Sequence, residues 1–142
     1  MKVESYLFFD GRCEEAMQFY CGALGAKLDF LMRYKESPEP PEGGVPPGWE
    51  DKVIHASLRI GDTRVMAADD CHGHPNFGGF SLCVEPVDEA QAKRQFGALA
   101  AGGKVVMPLA KTFYSPCFGM VTDRFGMLWM VMVEGEPGGQ SG

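Results

Sequence analysis

The apolar positions of this chain change period along its length, and the changes mark its elements. Val3-Glu4-Ser5-Tyr6-Leu7-Phe8-Phe9 is rich in aromatic residues and predicts a strand. Asp10-Gly11 ends it and supplies a candidate helix cap. Cys13, Ala16, Met17, Tyr20 and Leu24 then recur at spacings of three and four, a helical stripe that Gly25 stops. Extended structure resumes from Lys27 to Tyr34. Val53 to Ile60 and Thr63 to Ala68 predict a hairpin turned at Gly61-Asp62. Phe80 to Val84 predicts another strand, and Pro86 is placed to open a helix marked by Ala92, Phe96 and Leu99 and ended by Gly102-Gly103. Val105 to Leu109 is extended, 110–116 crosses over, and two apolar runs then flank the polar turn Thr122-Asp123-Arg124-Phe125-Gly126. The second of these runs, Met127 to Val133, has no polar residue. Strict alternation would leave one face wet, so an unbroken run predicts a strand covered on both faces.

The order strand, helix, strand, hairpin therefore occurs twice. Gly22-Ala23-Leu24 stands shortly before Lys27, and Gly97-Ala98-Leu99 shortly before Lys104. A duplication accounts for this, because neither half alone could bury its sheet. The first half is longer, and its excess falls in 36–51, where Pro38, Pro40, Pro41, Pro46 and Pro47 lie among glycines and glutamates. Proline cannot donate to a ladder, so this stretch is a loop, either a surface insertion or a lid pinned by Trp49. The expected organisation is a first module over 1–70 with the insertion at 36–51, a connector at 71–79, a second module over 80–134, and a frayed tail at 135–142.

Composition narrows the function classes. The 142 residues carry a formal net charge of -6, and no basic patch is visible to meet a phosphate backbone, so a nucleic-acid partner is not expected. No apolar run reaches the roughly 18 to 20 residues of a membrane span, and no membrane partner is expected. The five cysteines, Cys13, Cys21, Cys71, Cys83 and Cys117, include no C-x-x-C pair. With no signal peptide before the first strand, scattered thiols point to a reducing cytoplasmic setting.

Several stretches together resemble the vicinal oxygen chelate superfamily of glyoxalases, bleomycin resistance proteins and dioxygenases, and more narrowly its PhnB-like branch. They are Tyr6-Leu7-Phe8-Phe9-Asp10-Gly11-Arg12-Cys13-Glu14-Glu15-Ala16, His55-Ala56-Ser57-Leu58-Arg59-Ile60-Gly61-Asp62, Gly79-Phe80-Ser81-Leu82 and Phe118-Gly119-Met120-Val121-Thr122-Asp123-Arg124-Phe125-Gly126. The resemblance implies an α+β fold in which two βαβββ modules form a half-barrel pair enclosing a pocket, commonly in a homodimer. In the superfamily's metal enzymes, the first and last strands of each module supply ligands, and the metal holds two neighbouring substrate oxygens. The matching positions here are Glu4, Met66, Gly79 and Met130. Only Glu4 suits a hard or borderline cation, since thioethers favour soft ions such as Cu(I) and glycine offers no side chain. The expectation is no metal and no cofactor. The branch has also carried the name demethylubiquinone methyltransferase, but no strand here is followed by a glycine-rich loop able to cradle a nucleoside methyl donor.

The chemistry that remains is apolar. Phe8, Met66, Leu128, Met130 and Met132 are candidate lining residues for an adaptable cavity between the modules, or plain core. His55 interrupts the apolar run Val53-Ile54-His55-Ala56 and is either hydrogen-bonded structure or, facing a cavity, a general base or a group that orients a ligand carbonyl. Arg59 shares its period-2 face and can hold an anion. Asp69-Asp70-Cys71-His72-Gly73-His74 has metal-friendly side chains but lacks the spaced pairs of a closed zinc site. Cys117 has no cationic neighbour in sequence to lower its pKa and is expected to be structural. The expected function is the binding of an apolar or aromatic small molecule without a metal. The alternative is a lyase or isomerase using His55 as base, with or without a divalent cation at Glu4.

Overall fold

The computed structural model describes residues 1–71, 73 and 75–135. His72, His74 and the tail beyond residue 135 lie outside the described residues. The chain groups into two units, one over Met1–Asn76 and one from Phe77 onward. The first contains β1 (Ser5–Phe9), α1 (Cys13–Leu24), β2 (Lys27–Arg33), a 3-10 turn (Tyr34–Glu36), β3 (Val53–Ile60) and β4 (Thr63–Asp69). The second contains β5 (Leu82–Val84), α2 (Glu89–Ala100), β6 (Lys104–Ala110), β7 (Cys117–Thr122) and β8 (Leu128–Val133). Their sheets share one topology, β1-β4-β3-β2 and β5-β8-β7-β6. In each, the first strand joins the last in parallel and the other pairings are antiparallel. This is the α+β pair of βαβββ modules that the repeat predicts. No helix among the described residues is long and apolar enough to cross a membrane.

Each helix closes one face of its own sheet. α1 buries Cys13, Ala16, Met17 and Tyr20, and Leu7, Phe9, Leu58, Val65 and Ala67 are among the buried positions of the strands in that unit. Its end is set by Gly25, which adopts φ 67° and ψ 25°, the left-handed conformation that glycine takes without strain. α2 buries Ala92, Phe96 and Leu99 in the unit where Val121, Trp129 and Val131 are buried. It sits close enough that a Cβ on Gly119 would lie 2.7 Å from Phe96 Cε1 and 2.9 Å from Leu109 Cδ2.

Two local expectations about helix caps are corrected, and burial at β8 is finer than its sequence suggests: Trp129, Val131 and Val133 are buried, while Leu128, Met130 and Met132 are half-buried. Both faces are apolar, so the alternation of burial leaves no trace in residue type. Pro86 does not open α2. Asp88 is the cap, with its Oδ1 accepting the Gln91 N–H at 2.8 Å, while the Gln91 side chain accepts the Val87 N–H at 2.8 Å. Asp10 does not cap α1 either. Arg12 occupies the cap position but its side chain makes no capping bond, and the acceptor comes from 56 residues away.

That acceptor is Asp69, 1 % exposed at the end of β4. Its Oδ1 accepts the Cys13 N–H at 2.9 Å, and its Oδ2 accepts the Val53 N–H at 3.0 Å. The Gly11 N–H also bonds to the carboxylate. Its own carbonyl accepts the Tyr34 hydroxyl at 2.6 Å, and the next N–H, from Asp70, donates to Phe9 O at 2.8 Å. One side chain thus ties the start of α1 and the start of β3 to the end of β4. Burial raises the Asp69 carboxyl above its ordinary pKa, and the backbone N–H groups pull in the opposite direction.

Asp69→Ala leaves buried N–H groups without an acceptor and is expected to cost about 3 kcal/mol, read as a drop in the urea midpoint. Asp10→Ala, at an exposed position without the capping bond, is expected to stay within about 0.5 kcal/mol. Gly119→Ala forces Phe96 and Leu109 apart and is expected to cost about 1 to 3 kcal/mol by the same measurement, the range for overpacking a tight core.

Candidate functional site

The face of the first sheet turned away from α1 gathers aromatic side chains. Alternation along β1 sends Leu7 and Phe9 to the helix side and Tyr6 and Phe8 to the other. Strand register then sets their neighbours. Tyr6 pairs with Met66, Met66 with Ser57, and Ser57 with Phe30; Phe8 pairs with Ala68, and His55 with Met32. The rings of Tyr6 and Phe8 stack with centroids 5.1 Å apart, and His55 lies 5.6 Å from Tyr6 and 5.8 Å from Phe30. Tyr6, Phe8 and Phe30 are 37 %, 48 % and 44 % exposed, a large aromatic surface to leave in water.

Within this patch Tyr6 Oη and His55 Nδ1 are 2.8 Å apart. Burial raises the Tyr6 pKa, so the phenol keeps its proton at neutral pH. When it donates to Nδ1, His55 carries its own proton on Nε2 and offers a donor to a ligand. When the ring carries the proton on Nδ1 and donates to the tyrosine oxygen, Nε2 is left as an acceptor or base.

The end of the same face is ionic and self-paired. Arg64 Nη2 lies 2.6 Å from Glu4 Oε1, and Arg64 Nε lies 3.2 Å from both carboxylate oxygens. Arg59, two residues beyond Ser57, makes 3.1 Å contacts to Asp29 through both Nε and Nη2. The hydrogen bond from Arg64 holds the Glu4 carboxyl below its ordinary pKa. A cation at Glu4 would have to displace a guanidinium bound through two nitrogens. Of the other positions that the resemblance matches to metal ligands, Met66 and Met130 offer only thioethers, and Gly79 precedes β5 with φ 78° and no side chain. These residues do not fit a divalent cation.

In the second unit, Leu128, Met130 and Met132 lie on the face of β8 opposite Trp129, Val131 and Val133, and are half-buried. The structure therefore brings Phe8, His55 and Met66 onto one sheet face and Leu128, Met130 and Met132 onto one face of the other sheet. Two members of the aromatic patch, Tyr6 and Phe30, were not singled out by the sequence pattern. Period-2 alternation from Phe8 identifies Tyr6, but Phe30 joins the patch through a β-bulge between Leu28 and Phe30, which breaks the count.

Two other features are weaker as sites. A hollow of about 420 Å3 is lined by Gly11, Glu14, Glu15, Arg33, Asp51, Lys52, Val53 and Asp69. Its charges are largely matched: Arg33 holds Glu14 through two 2.8 Å bonds, and Lys52 Nζ donates to Gly11 O at 2.9 Å. Asp51 and Lys52, at the end of the proline-rich loop, border this hollow, and Trp49 packs edge-on against Tyr34 with centroids 6.4 Å apart. The five cysteines are free thiols. Burial raises the pKa values of Cys13, Cys83 and Cys117, so none of these three is an activated nucleophile.

The Glu4–Arg64 pair makes a pH-dependent prediction. Because the folded carboxyl titrates below its unfolded value, the contribution of the pair is present above the ordinary glutamate range and is lost as pH falls through the depressed folded pKa. Carboxyl NMR titration of Glu4 is expected to show a lowered midpoint in the natural chain and a midpoint returned upward in Arg64→Gln.

The comparisons agree with this architecture. The family model described as Glyoxalase/Bleomycin resistance protein/Dioxygenase superfamily matches residues 2–131. Protein YjdN of Escherichia coli strain K12 is 34 % identical over 140 residues, covering 94 % of this chain and 95 % of its own length. The crystal structure of protein PA1353 from Pseudomonas aeruginosa superposes with a TM-score of 0.85 at 39 % identity, over 96 % of this chain and 99 % of that one. The PhnB protein from Bacillus cereus gives a TM-score of 0.77 at 29 % identity, over 94 % and 99 % of the two chains. With a matched family model, a repeated βαβββ topology and PhnB among its relatives, the chain belongs to the glyoxalase/bleomycin resistance protein/dioxygenase superfamily, on its PhnB-like branch.

Proposed function

We propose that this protein binds an apolar or aromatic small molecule on the open face of its first sheet, without a metal. The observation that carries the reading is the cluster of half-exposed rings, Tyr6, Phe8 and Phe30, around the Tyr6–His55 hydrogen bond. Aromatic rings offer flat surface with little conformational entropy to lose, and Met66 in the same row adapts to ligand shape. The Tyr6–His55 pair adds one polar anchor, suited to a carbonyl or hydroxyl on an otherwise apolar molecule. The ionic end of the face is already neutralised within the protein, which favours a ligand of low charge.

A second reading is catalytic. The 2.8 Å contact with Tyr6 can hold His55 in the tautomer that leaves Nε2 free, and a lyase or isomerase of this superfamily would use that nitrogen as a general base. His55 would then abstract a proton from a substrate lying on the aromatic patch.

Titration with the fluorescent aromatic 8-anilinonaphthalene-1-sulfonate tests the first reading. The natural chain is expected to bind it saturably with a blue-shifted emission. Phe8→Ser combined with Phe30→Ser, both at half-exposed positions, is expected to weaken binding by about tenfold or more, since each ring contact is worth about 0.5 to 1.5 kcal/mol. Unchanged binding by a folded double variant would remove the patch as the site. Metal analysis of the purified protein separates the alternatives further, because stoichiometric divalent metal lost in Glu4→Gln or His55→Gln contradicts the metal-free reading.

A further inference from the structure

Four sulfur-bearing residues cross the second sheet in one transverse row. Cys83 is the register partner of Met130, Met130 of Met120, and Met120 of Met107, so the row passes through β5, β8, β7 and β6 without a gap. The row lies on the face turned away from α2. The neighbours along the strands that point the other way, Trp129, Val131, Val121 and Gly119, are buried. Met120 and Met130 are half-buried, Cys83 is exposed, and Met107 is 46 % exposed.

Register partners on one face hold their Cβ atoms about 5 Å apart. Methionine adds three rotatable bonds beyond its backbone, so thioethers on adjacent strands can turn toward a common point. A central pair of thioethers flanked by a thiol is a donor set with one chemical preference. Carboxylate, carbonyl and imidazole groups suit magnesium, calcium and zinc, whereas thiolate with thioether selects a soft monovalent ion. Among the described residues no group of three His, Cys, Asp or Glu is placed to hold a metal, so the sulfur row does not duplicate a harder site.

We propose that the second sheet binds one Cu(I) ion between the Cys83 thiolate and the thioethers of Met130 and Met120, with Met107 at the flank. The Cys83 thiol releases its proton to solvent as the Cu–S bond forms, and no electron is transferred. The thiolate and the ion sum to zero charge, which limits the desolvation cost of closing them against a half-buried apolar face. The row shares no residue with the aromatic patch of the first sheet and stands independently of the ligand reading given above.

The test is an anaerobic titration of the reduced, full chain against Cu(I) held by bathocuproine disulfonate, whose colour reports the ion withdrawn. The natural chain is expected to withdraw one equivalent. Met120→Leu with Met130→Leu conserves volume and is expected to keep the far-ultraviolet circular dichroism while weakening Cu(I) retention at least about tenfold. Cys83→Ser is expected to do the same, and Cys21→Ser with Cys71→Ser to leave the stoichiometry unchanged. Failure of the natural chain to compete overturns the proposal, as does undiminished retention by the folded double-leucine variant or loss that follows only Cys21 and Cys71. X-ray absorption of the loaded natural chain reads the donor atoms directly: a sulfur-only shell supports the site, and nitrogen or oxygen donors overturn it.

Discussion

The carboxylate of Asp69 is the interaction on which the first module depends. It is buried at the end of β4, where it accepts N–H groups from Cys13 and Val53. Both donors head elements that would otherwise begin with an unpaired group: Cys13 opens α1 and Val53 opens β3. A buried charge is tolerated only when hydrogen bonds replace the water it loses, and here those bonds are made across the fold rather than along the chain. The geometry of the candidate site follows from this. His55 stands two residues after Val53, Phe8 just before the Phe9 that pairs with Asp69, and Met66 three residues before Asp69. Fixing the ends of these strands fixes which side chains face one another on the opposite side of the sheet.

The second constraint is that, among the described residues, each sheet has only one helix. α1 and α2 each close one face, and the other face of each sheet retains apolar side chains with partial exposure. In an ordinary two-layer domain such a face would be polar. In the first sheet it is aromatic with one hydrogen-bonded polar pair; in the second it is aliphatic and sulfur-rich. Identical topology therefore presents two chemically different surfaces. Duplication of the backbone plan has not duplicated the chemistry.

The ionic groups sharpen that contrast. Glu4 and Arg64 neutralise each other, as do Arg59 and Asp29, so charge near the aromatic patch is already satisfied. These pairs are exposed and contribute little to stability. Their consequence is chemical: the Glu4 carboxylate has a guanidinium on it, while Met66 and Met130 carry sulfur and Gly79 carries no side chain. Sulfur is not inert in this chain. Raised thiol pKa values make Cys83 and Cys117 poor nucleophiles, yet the same atoms remain soft donors.

Much of the plan was legible in the amino-acid sequence. Helical spacing of Cys13, Ala16, Met17 and Tyr20, the stop at Gly25, and the turns at Gly61-Asp62 and Thr122 to Gly126 arise from local backbone preferences, and local preferences are written in neighbouring residues. The duplication was equally visible. Other features required strands distant in sequence to meet. Asp69 as the cap of α1, Phe30 beside His55 across a bulge, and the row from Cys83 to Met107 each join residues from different elements. Which face of β8 is closed was hidden as well, since Trp129 and Met130 are both apolar and only the position of α2 separates them. Sequence by itself determined the elements, their order and the kinds of atom available for chemistry, because these depend on each residue and its near neighbours. Register and helix placement decided which of those atoms stand together, because cross-strand pairing depends on the closure of the whole sheet.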